Sequence, residues 1–390
     1  MSEQNCRKYI FELLKNSLQA EVLGETLKES ITEQDLPELF KLAKKHDLAH
    51  IVADVLDKNG LLPDNSQARK VFLQERNMAV FRYEQLNYDL ERISAGLEEE
   101  KIEHIPLKGS VIRKFYSEPW LRTSCDIDIL IRESDKERAK EVFENKLNCE
   151  YKSTWDYEQS FFTESGTHIE LHHSLDCGKF EEKKFLSEIW QNAVAVDGKA
   201  YRKELADEWF YFYHFAHMAK HFEAGGCGIK PFMDIWILNN RMSKNTQRRY
   251  EILGRGGLLE FAKASEKLAE IWFSGQEYDD LSLKLEEYVL YGGVYGNTEN
   301  RVLIGQQKKG GKFRYILYRI FLPYDELKNY YPKLNGKKWL TPIYQFKRWF
   351  RLVFVKGTAK KSLAELNTSN AVSKDTQDKT QKLLRDLGLM

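Results

Sequence analysis

The apolar positions change period twice along the chain, from helical to alternating and back to helical. In the first hundred residues Leu13, Leu14, Leu36, Leu39, Leu42, Ala43 and Leu48 recur in steps of three and four, the spacing of a buried helix face. Residues 71–97 repeat that pattern, with Asn59-Gly60 as a helix stop before them and Asp64-Asn65-Ser66 as a helix start. From Lys101 the period shortens. Residues 102–107, 126–131 and 151–155 suit short strands, and residues 160–163 and 168–172 flank the turn-rich Glu164-Ser165-Gly166 as a hairpin. Short helices are expected at 111–115 and from Ser134 to about residue 147. After Leu205 the helical period returns at 209–222, 229–238 and 258–273. The pattern predicts an α+β protein: a helical region over 1–100, a mixed α/β core over 101–200 and a helical domain over 201–365. A mobile polar tail with a short terminal helix is expected over 366–390.

Within the alternating part, Asp126-Ile127-Asp128-Ile129 places two carboxylates on one strand face and two isoleucines on the other. Like charges that close repel each other and raise one pKa, so a positive group is expected between them. A hard divalent cation such as Mg²⁺ takes oxygen ligands of this kind together with substrate phosphates. Glu170, in His168-Ile169-Glu170-Leu171-His172, supplies a third carboxylate on another alternating segment. Upstream, Lys108-Gly109-Ser110 is a turn at the start of a helix. Its glycine lets the backbone approach a phosphate, its serine can donate a hydroxyl and its lysine adds a point charge. By itself that tripeptide reads more readily as a glycine turn with a serine cap.

Taken together, Ile105-Pro106-Leu107-Lys108-Gly109-Ser110, Tyr116, Pro119, Leu121-Arg122 and Asp126-Ile127-Asp128 resemble the signature of the polymerase-β-like nucleotidyltransferase superfamily. More narrowly, residues 107–128 are similar to a bacterial group known as the uncharacterised nucleotidyltransferase family, in their Leu-Lys-Gly, Tyr-x-x-Pro, Arg and Asp-x-Asp pattern. The resemblance implies a polymerase-β-like core flanked by helical regions, and transfer of an NMP group from an NTP with release of pyrophosphate. It implies Asp126, Asp128 and Glu170 as metal ligands and catalytic acids for Mg²⁺ or Mn²⁺, with Lys108, Gly109, Ser110 and Arg122 against the nucleotide. Arg122 reads either as a partner of a carboxylate or as a triphosphate contact. The resemblance also places His217, Lys220, His221 and Asp234 at the border of the nucleotide or acceptor pocket, and it names no acceptor. A small molecule is the first expectation; RNA or a protein, as in toxin-type relatives, is the second, and a non-catalytic nucleotide-binding scaffold the third.

Charge and composition refine this picture only locally. The 60 Lys and Arg nearly cancel the 59 Asp and Glu, so the whole molecule advertises no polyanionic partner. Residues 301–351 nevertheless hold thirteen Lys and Arg against Asp325 and Glu326 alone, interleaved with Phe313, Tyr315, Tyr318, Trp339, Phe346, Trp349 and Phe350. Such a segment fits amphipathic helices with a solvated basic face, a guide for nucleic acid, or a surface for anionic lipid. His214, His217 and His221 share one helix face, but without a His-Glu-x-x-His pattern they read as histidines packed at a domain seam rather than zinc ligands. Gly305 to Lys312 misses the P-loop spacing and has Phe313 in place of Ser or Thr. The Gly254-Arg255-Gly256-Gly257 turn lacks the strand–turn–helix context of a dinucleotide site. Five scattered cysteines, no apolar leader and no run near the roughly 18 apolar residues of a membrane span point to a reduced, cytoplasmic protein.

Overall fold

In the computed structural model the described residues are 3–154, 157–175, 188–242, 244–294, 296, 298–354 and 374–390. Five helices open the chain: Glu3–Gln19, the short Glu25–Ser30, Leu36–Lys45, Ala49–Lys58 and the 33-residue Gln67–Glu99. Ser66 caps the last of these, its Oγ accepting from the Arg69 amide at 3.0 Å. This long helix serves two cores. Phe72, near its start, packs with the other N-terminal helices, while Leu86, Leu90, Ile93 and Leu97, spaced on one face, pack under the sheet.

The sheet has five strands: β1 (His104–Pro106), β2 (Asp126–Ile131), β3 (Glu150–Thr154), β4 (Glu158–Phe162) and β5 (His168–His172). Their order is β1-β2-β5-β4-β3, with β2 and β5 parallel and every other neighbour antiparallel. Ile127, Ile129 and Ile131 on β2, with Ile169 and Leu171 on β5, point toward the long helix. The alternation therefore turns Asp126, Asp128, His168, Glu170 and His172 to the opposite face. The hairpin between β4 and β5 turns at Gly166, whose φ of +86° favours glycine. A two-stranded ribbon of β6 (Ala193–Ala195) and β7 (Lys203–Leu205) follows.

Nine further α-helices of the described chain precede its C-terminal helix, among them Asp207–Glu223, Lys230–Asn240 and Leu259–Ser274. The first is apolar almost all round, with Trp209, Phe210, Tyr211, Phe212, Tyr213, Phe215 and Phe222 buried. The helices from Asp207 to Lys308 share one apolar core with the N-terminal ones: Phe11 stacks on Trp272 at 4.5 Å, and Phe232 meets the same indole edge-on at 4.9 Å.

Three local differences from the sequence pattern have physical reasons. The short helix expected at 111–115 begins earlier, at Gly109, and tightens into a 3₁₀ turn after Ile112. In the segment expected to be a tail, residues 374–390 carry the helix Lys374–Asp386, and Leu383, Leu384, Leu387 and Leu389 bury themselves in the main core. The rest of that stretch, 366–373, lies outside the described residues, as do Trp155 and Cys177; Cys6, Cys125, Cys149 and Cys227 are not joined in disulfides. The aromatics of 301–351 divide: Tyr315 is buried, but Phe313, Trp339, Phe346 and Phe350 are exposed. Among the described residues no helix is long and apolar enough to cross a membrane.

A buried histidine ties the N-terminal helices to the loop that leads into β2. His50 is 3 % exposed, and its Nε2–H donates to the Leu121 carbonyl at 2.9 Å. Burial, helped by the Lys230 charge, lowers its pKa from 6.5 to about 4. Above pH 6.5 both folded and unfolded chains keep this ring neutral. Between 6.5 and 4 only the unfolded chain takes up the proton, so stability falls with pH, by about 3 kcal/mol for this group across the window. His50→Gln keeps a donor for Leu121 and cannot titrate. Urea unfolding measured from pH 7 to 4 is expected to show a flatter loss for this variant than for the parent; equal slopes would contradict the assignment.

Candidate active site

The turn between β1 and the short helix sets the site's position. The Leu107 amide donates to the Asp128 carbonyl at 3.0 Å, which pins the turn against β2. Lys108 then takes φ +51° and ψ −125°, a region L residues rarely adopt and one that costs about 1–3 kcal/mol. That strain delivers its ammonium over the acidic strand, where Nζ lies 2.7 Å from Asp128 Oδ1. Gly109 is needed for close approach: a Cβ there would lie 3.2 Å from both Cβ and Oγ of Ser124. Arg113 fastens the same two loops, donating from Nε to the Gly109 carbonyl and from Nη2 to Ser124 Oγ, both at 2.8 Å.

Parallel pairing brings the acids together. Asp128 sits opposite Glu170 and Asp126 opposite His168, all four on one face. Asp126, His168 and Glu170 offer ligand atoms within 4.8 Å of one another, and so do Asp128, Glu170 and His172. His172 donates from Nε2 to Asp128 Oδ1 at 2.9 Å, with Glu170 Oε2 3.5 Å from the same nitrogen. His168 instead meets Ser160 Oγ at 2.8 Å. The two strand histidines thus share the acids' face, and His172 is bonded directly into the cluster.

The electrostatics follow from this crowding. Burial and the adjacent Asp128 charge push Asp126 well above the ordinary carboxylate range. Burial would raise Asp128 too, but Lys108 and the hydrogen bond from His172 outweigh it and hold Asp128 far below that range. Burial opposes charge on His172, yet its bonds to Asp128 and Glu170 raise it to about 9. An ammonium and an imidazolium therefore balance the carboxylates. Glu158, on β4 opposite His172, is raised by burial and by the Glu170 charge. On the aromatic helix, burial and the charge of Lys108 keep His217 and His221 neutral, and His214 is lowered by burial.

These groups line one cavity of about 440 Å³, within the range of small-ligand sites. The sheet supplies its floor; His214, His217, Lys220 and His221 of the aromatic helix and Asp234 of the next helix form the facing wall. Lys108, Gly109 and Arg122 also line it, whereas Ser110 is half-buried outside that lining. Arg122 pairs with Asp234 in a buried bidentate clamp, Nε to Oδ1 and Nη2 to Oδ2, each at 2.7 Å. Tyr116 donates to the same carboxylate at 2.8 Å. Of the two readings left open for Arg122, the carboxylate partner is the one present.

A family model described as an uncharacterised nucleotidyltransferase matches residues 32–274, well over half of the chain. The chain belongs to that family. The matched span contains every site residue named above and ends before the basic aromatic segment. No curated protein and no solved structure matches the chain. For this family member the acids and the glycine turn were legible from the sequence, while other cavity residues were not. Glu158 was reachable in principle, since counting back from the Glu164-Ser165-Gly166 turn sets it opposite His172. Asp47 and Lys230, paired with each other and with Thr123 at one side of the cavity, carry no local signal.

The Arg122–Asp234 clamp generates a prediction. Asp234 is fully buried, so Asp234→Asn leaves a buried guanidinium without its counter-charge and is expected to destabilise the protein by about 3–5 kcal/mol. Chemical denaturation checks this; a loss below about 1 kcal/mol would show that the clamp is not a structural tie.

Proposed function

We propose that this family member is a metal-dependent nucleotidyltransferase built on a polymerase-β-like core. The reading places the nucleotide triphosphate in the 440 Å³ cavity and moves an NMP group to a small-molecule acceptor. The observation that carries it is the register of β2 against β5, which sets Asp128 beside Glu170 with Asp126 on the same face.

The donor set suits Mg²⁺ or Mn²⁺. Glu170 offers ligand atoms within 4.8 Å of Asp126 in one set and of Asp128 in another; Asp128 and Glu170 lie beside cationic side chains, and Asp126 is disfavoured as an anion by burial and its neighbour. Asp126, Asp128 and Glu170 would hold the ions. Bound there, divalent cations supply positive charge to the triphosphate and acidify the attacking hydroxyl. The remaining chemistry belongs to the chain. Lys108, bonded to Asp128 at the cavity wall, would donate from its ammonium to a phosphate oxygen of the bound nucleotide. Gly109 leaves room for backbone and phosphate to approach. Glu170 accepts the proton of the acceptor hydroxyl as its oxygen attacks the α-phosphorus; the bond to the β-phosphate oxygen breaks, and its electron pair leaves with pyrophosphate. His172 keeps Asp128 oriented by a buried hydrogen bond. The neutral imidazoles of His217 and His221 face the site from the aromatic helix, as donors or acceptors for a polar acceptor molecule.

Incubation with each α-labelled NTP and Mg²⁺ in a metabolite extract tests this reading. Label on an acid-soluble small molecule is expected, with Asp128→Asn and Glu170→Gln each slowing transfer by about a thousandfold or more. Label on RNA or protein would support the toxin-type alternative. Absence of label from every fraction, together with NTP binding whose Mg²⁺ dependence survives an Asp126→Asn, Asp128→Asn double variant, would replace the enzyme by a nucleotide-binding scaffold.

A further inference from the structure

Of the eighteen large hydrophobic side chains exposed among the described residues, nine fall between Phe313 and Phe350. Chance scatter of surface apolar groups does not concentrate half of them in about a tenth of a chain. Seven of them lie on, or directly after, two helices that meet each other. On the helix Lys312–Ile320, Phe313, Leu317 and Ile320 follow at steps of four and three, and Phe321 comes directly after. On the helix Thr341–Phe354, Ile343 and Phe346 share a face. The two helices are joined where Trp349 stacks edge-on between Phe321 at 5.3 Å and Phe346 at 5.2 Å. Trp349 Nε1 donates to the Ile320 carbonyl at 2.9 Å, and Arg348 Nη2 to the Arg319 carbonyl at 2.8 Å. Beneath this surface lies a small core of Leu322, Leu327 and Leu334, to which Tyr318 and Tyr344 add their rings. The exposed face is thus not a core turned outward by loose packing; a separate core is already filled.

Cations stand beside these exposed apolar residues in the sequence. Lys312 precedes Phe313, while Lys333, Lys337 and Lys338 lead to Trp339, which is 76 % exposed. Only Asp325 and Glu326 oppose the thirteen basic residues of 301–351. Two polyanionic surfaces match such a field, and the apolar residues choose between them. Single-stranded nucleic acid uses flat rings on which bases stack. Leu317, Ile320 and Ile343 have no flat face, but aliphatic and aromatic side chains together enter the headgroup and acyl boundary of a bilayer, with Lys and Arg left at the anionic headgroups.

We propose that the face formed by helices Lys312–Ile320 and Thr341–Phe354 docks the protein on an anionic lipid surface. Phe313, Phe321, Trp339 and Phe346 insert among the headgroups, and the surrounding lysines supply charge complementarity. The face lies outside the span matched by the nucleotidyltransferase family and away from the acidic cavity, so the proposal does not rest on the transfer reaction.

Flotation of the full-length chain with phosphatidylcholine vesicles, with and without added phosphatidylglycerol, reads it directly. Binding is expected only when the anionic lipid is present, and it should weaken as salt rises. Phe313→Ser with Phe346→Ser, at exposed positions, and separately Lys312→Glu with Lys337→Glu, should each lower vesicle affinity about tenfold or more while the thermal melt stays unchanged. The second pair keeps the proposal testable should the first fail to fold. No binding to either vesicle, or binding indifferent to both pairs, overturns it. So does a loss confined to single-stranded RNA binding, or to a dimer seen by analytical ultracentrifugation, since the face would then belong to RNA or to a second copy of the chain.

Discussion

Parallel hydrogen bonding between β2 and β5 is the constraint on which the rest of the molecule depends. Side chains alternate along a strand with a period of two, and paired strands lie about 4.8 Å apart. Register alone therefore decides whether Asp128 and Glu170 stand side by side or one of them points into the isoleucine core. A slip of one residue would bury the carboxylates and expose Ile127, Ile129 and Ile131. The long helix fixes the register by filling the opposite face with Leu86, Leu90, Ile93 and Leu97. Apolar packing on one side thus specifies charge placement on the other.

Such placement is unfavourable unless it is compensated, and the chain compensates it in two ways. Lys108 is brought in through a strained backbone conformation, and His172 is held as a buried imidazolium next to Asp128. Lys108 and His172, both bonded to Asp128, thereby offset the charge that the strand register gathers on this face. Around them, ties between distant segments hold the cavity open. Arg122 and Tyr116 converge on Asp234 from more than a hundred residues away, and Lys230 reaches Asp47 in the N-terminal helical region. Helices before and after the sheet thereby act as one frame for the site, bonded through the same apolar core.

Periodicity carried much of this architecture. The alternating Asp126–Ile131 and His168–His172 segments, the hairpin turn at Gly166, the Ser66 cap and the aromatic helix Asp207–Glu223 all announce themselves within a few residues of sequence, because strand alternation, turn chemistry and capping are local. The strand order is not local, and neither is the decision that β2 and β5 run parallel, which needs the crossover between them. Lys108 was visible as a charge near a turn, but its bond to Asp128 follows from a backbone conformation that only tertiary packing sustains. Arg122 left two readings open because its partner lies far along the chain. Aromatics at helical spacing in 301–351 look alike in sequence whether they fill a core or face outward, and Tyr315 and Phe313, two residues apart, do one each.

The central claim is that Asp126, Asp128 and Glu170 hold divalent cations at a nucleotide site. The most direct measurement is anomalous diffraction from crystals grown with Mn²⁺ and a non-hydrolysable NTP analogue. A manganese peak is expected within coordination distance of oxygens of those three carboxylates, with the Lys108 ammonium moved from Asp128 to a phosphate oxygen. A nucleotide bound elsewhere, or manganese absent from the carboxylates while Lys108 stays on Asp128, would contradict it.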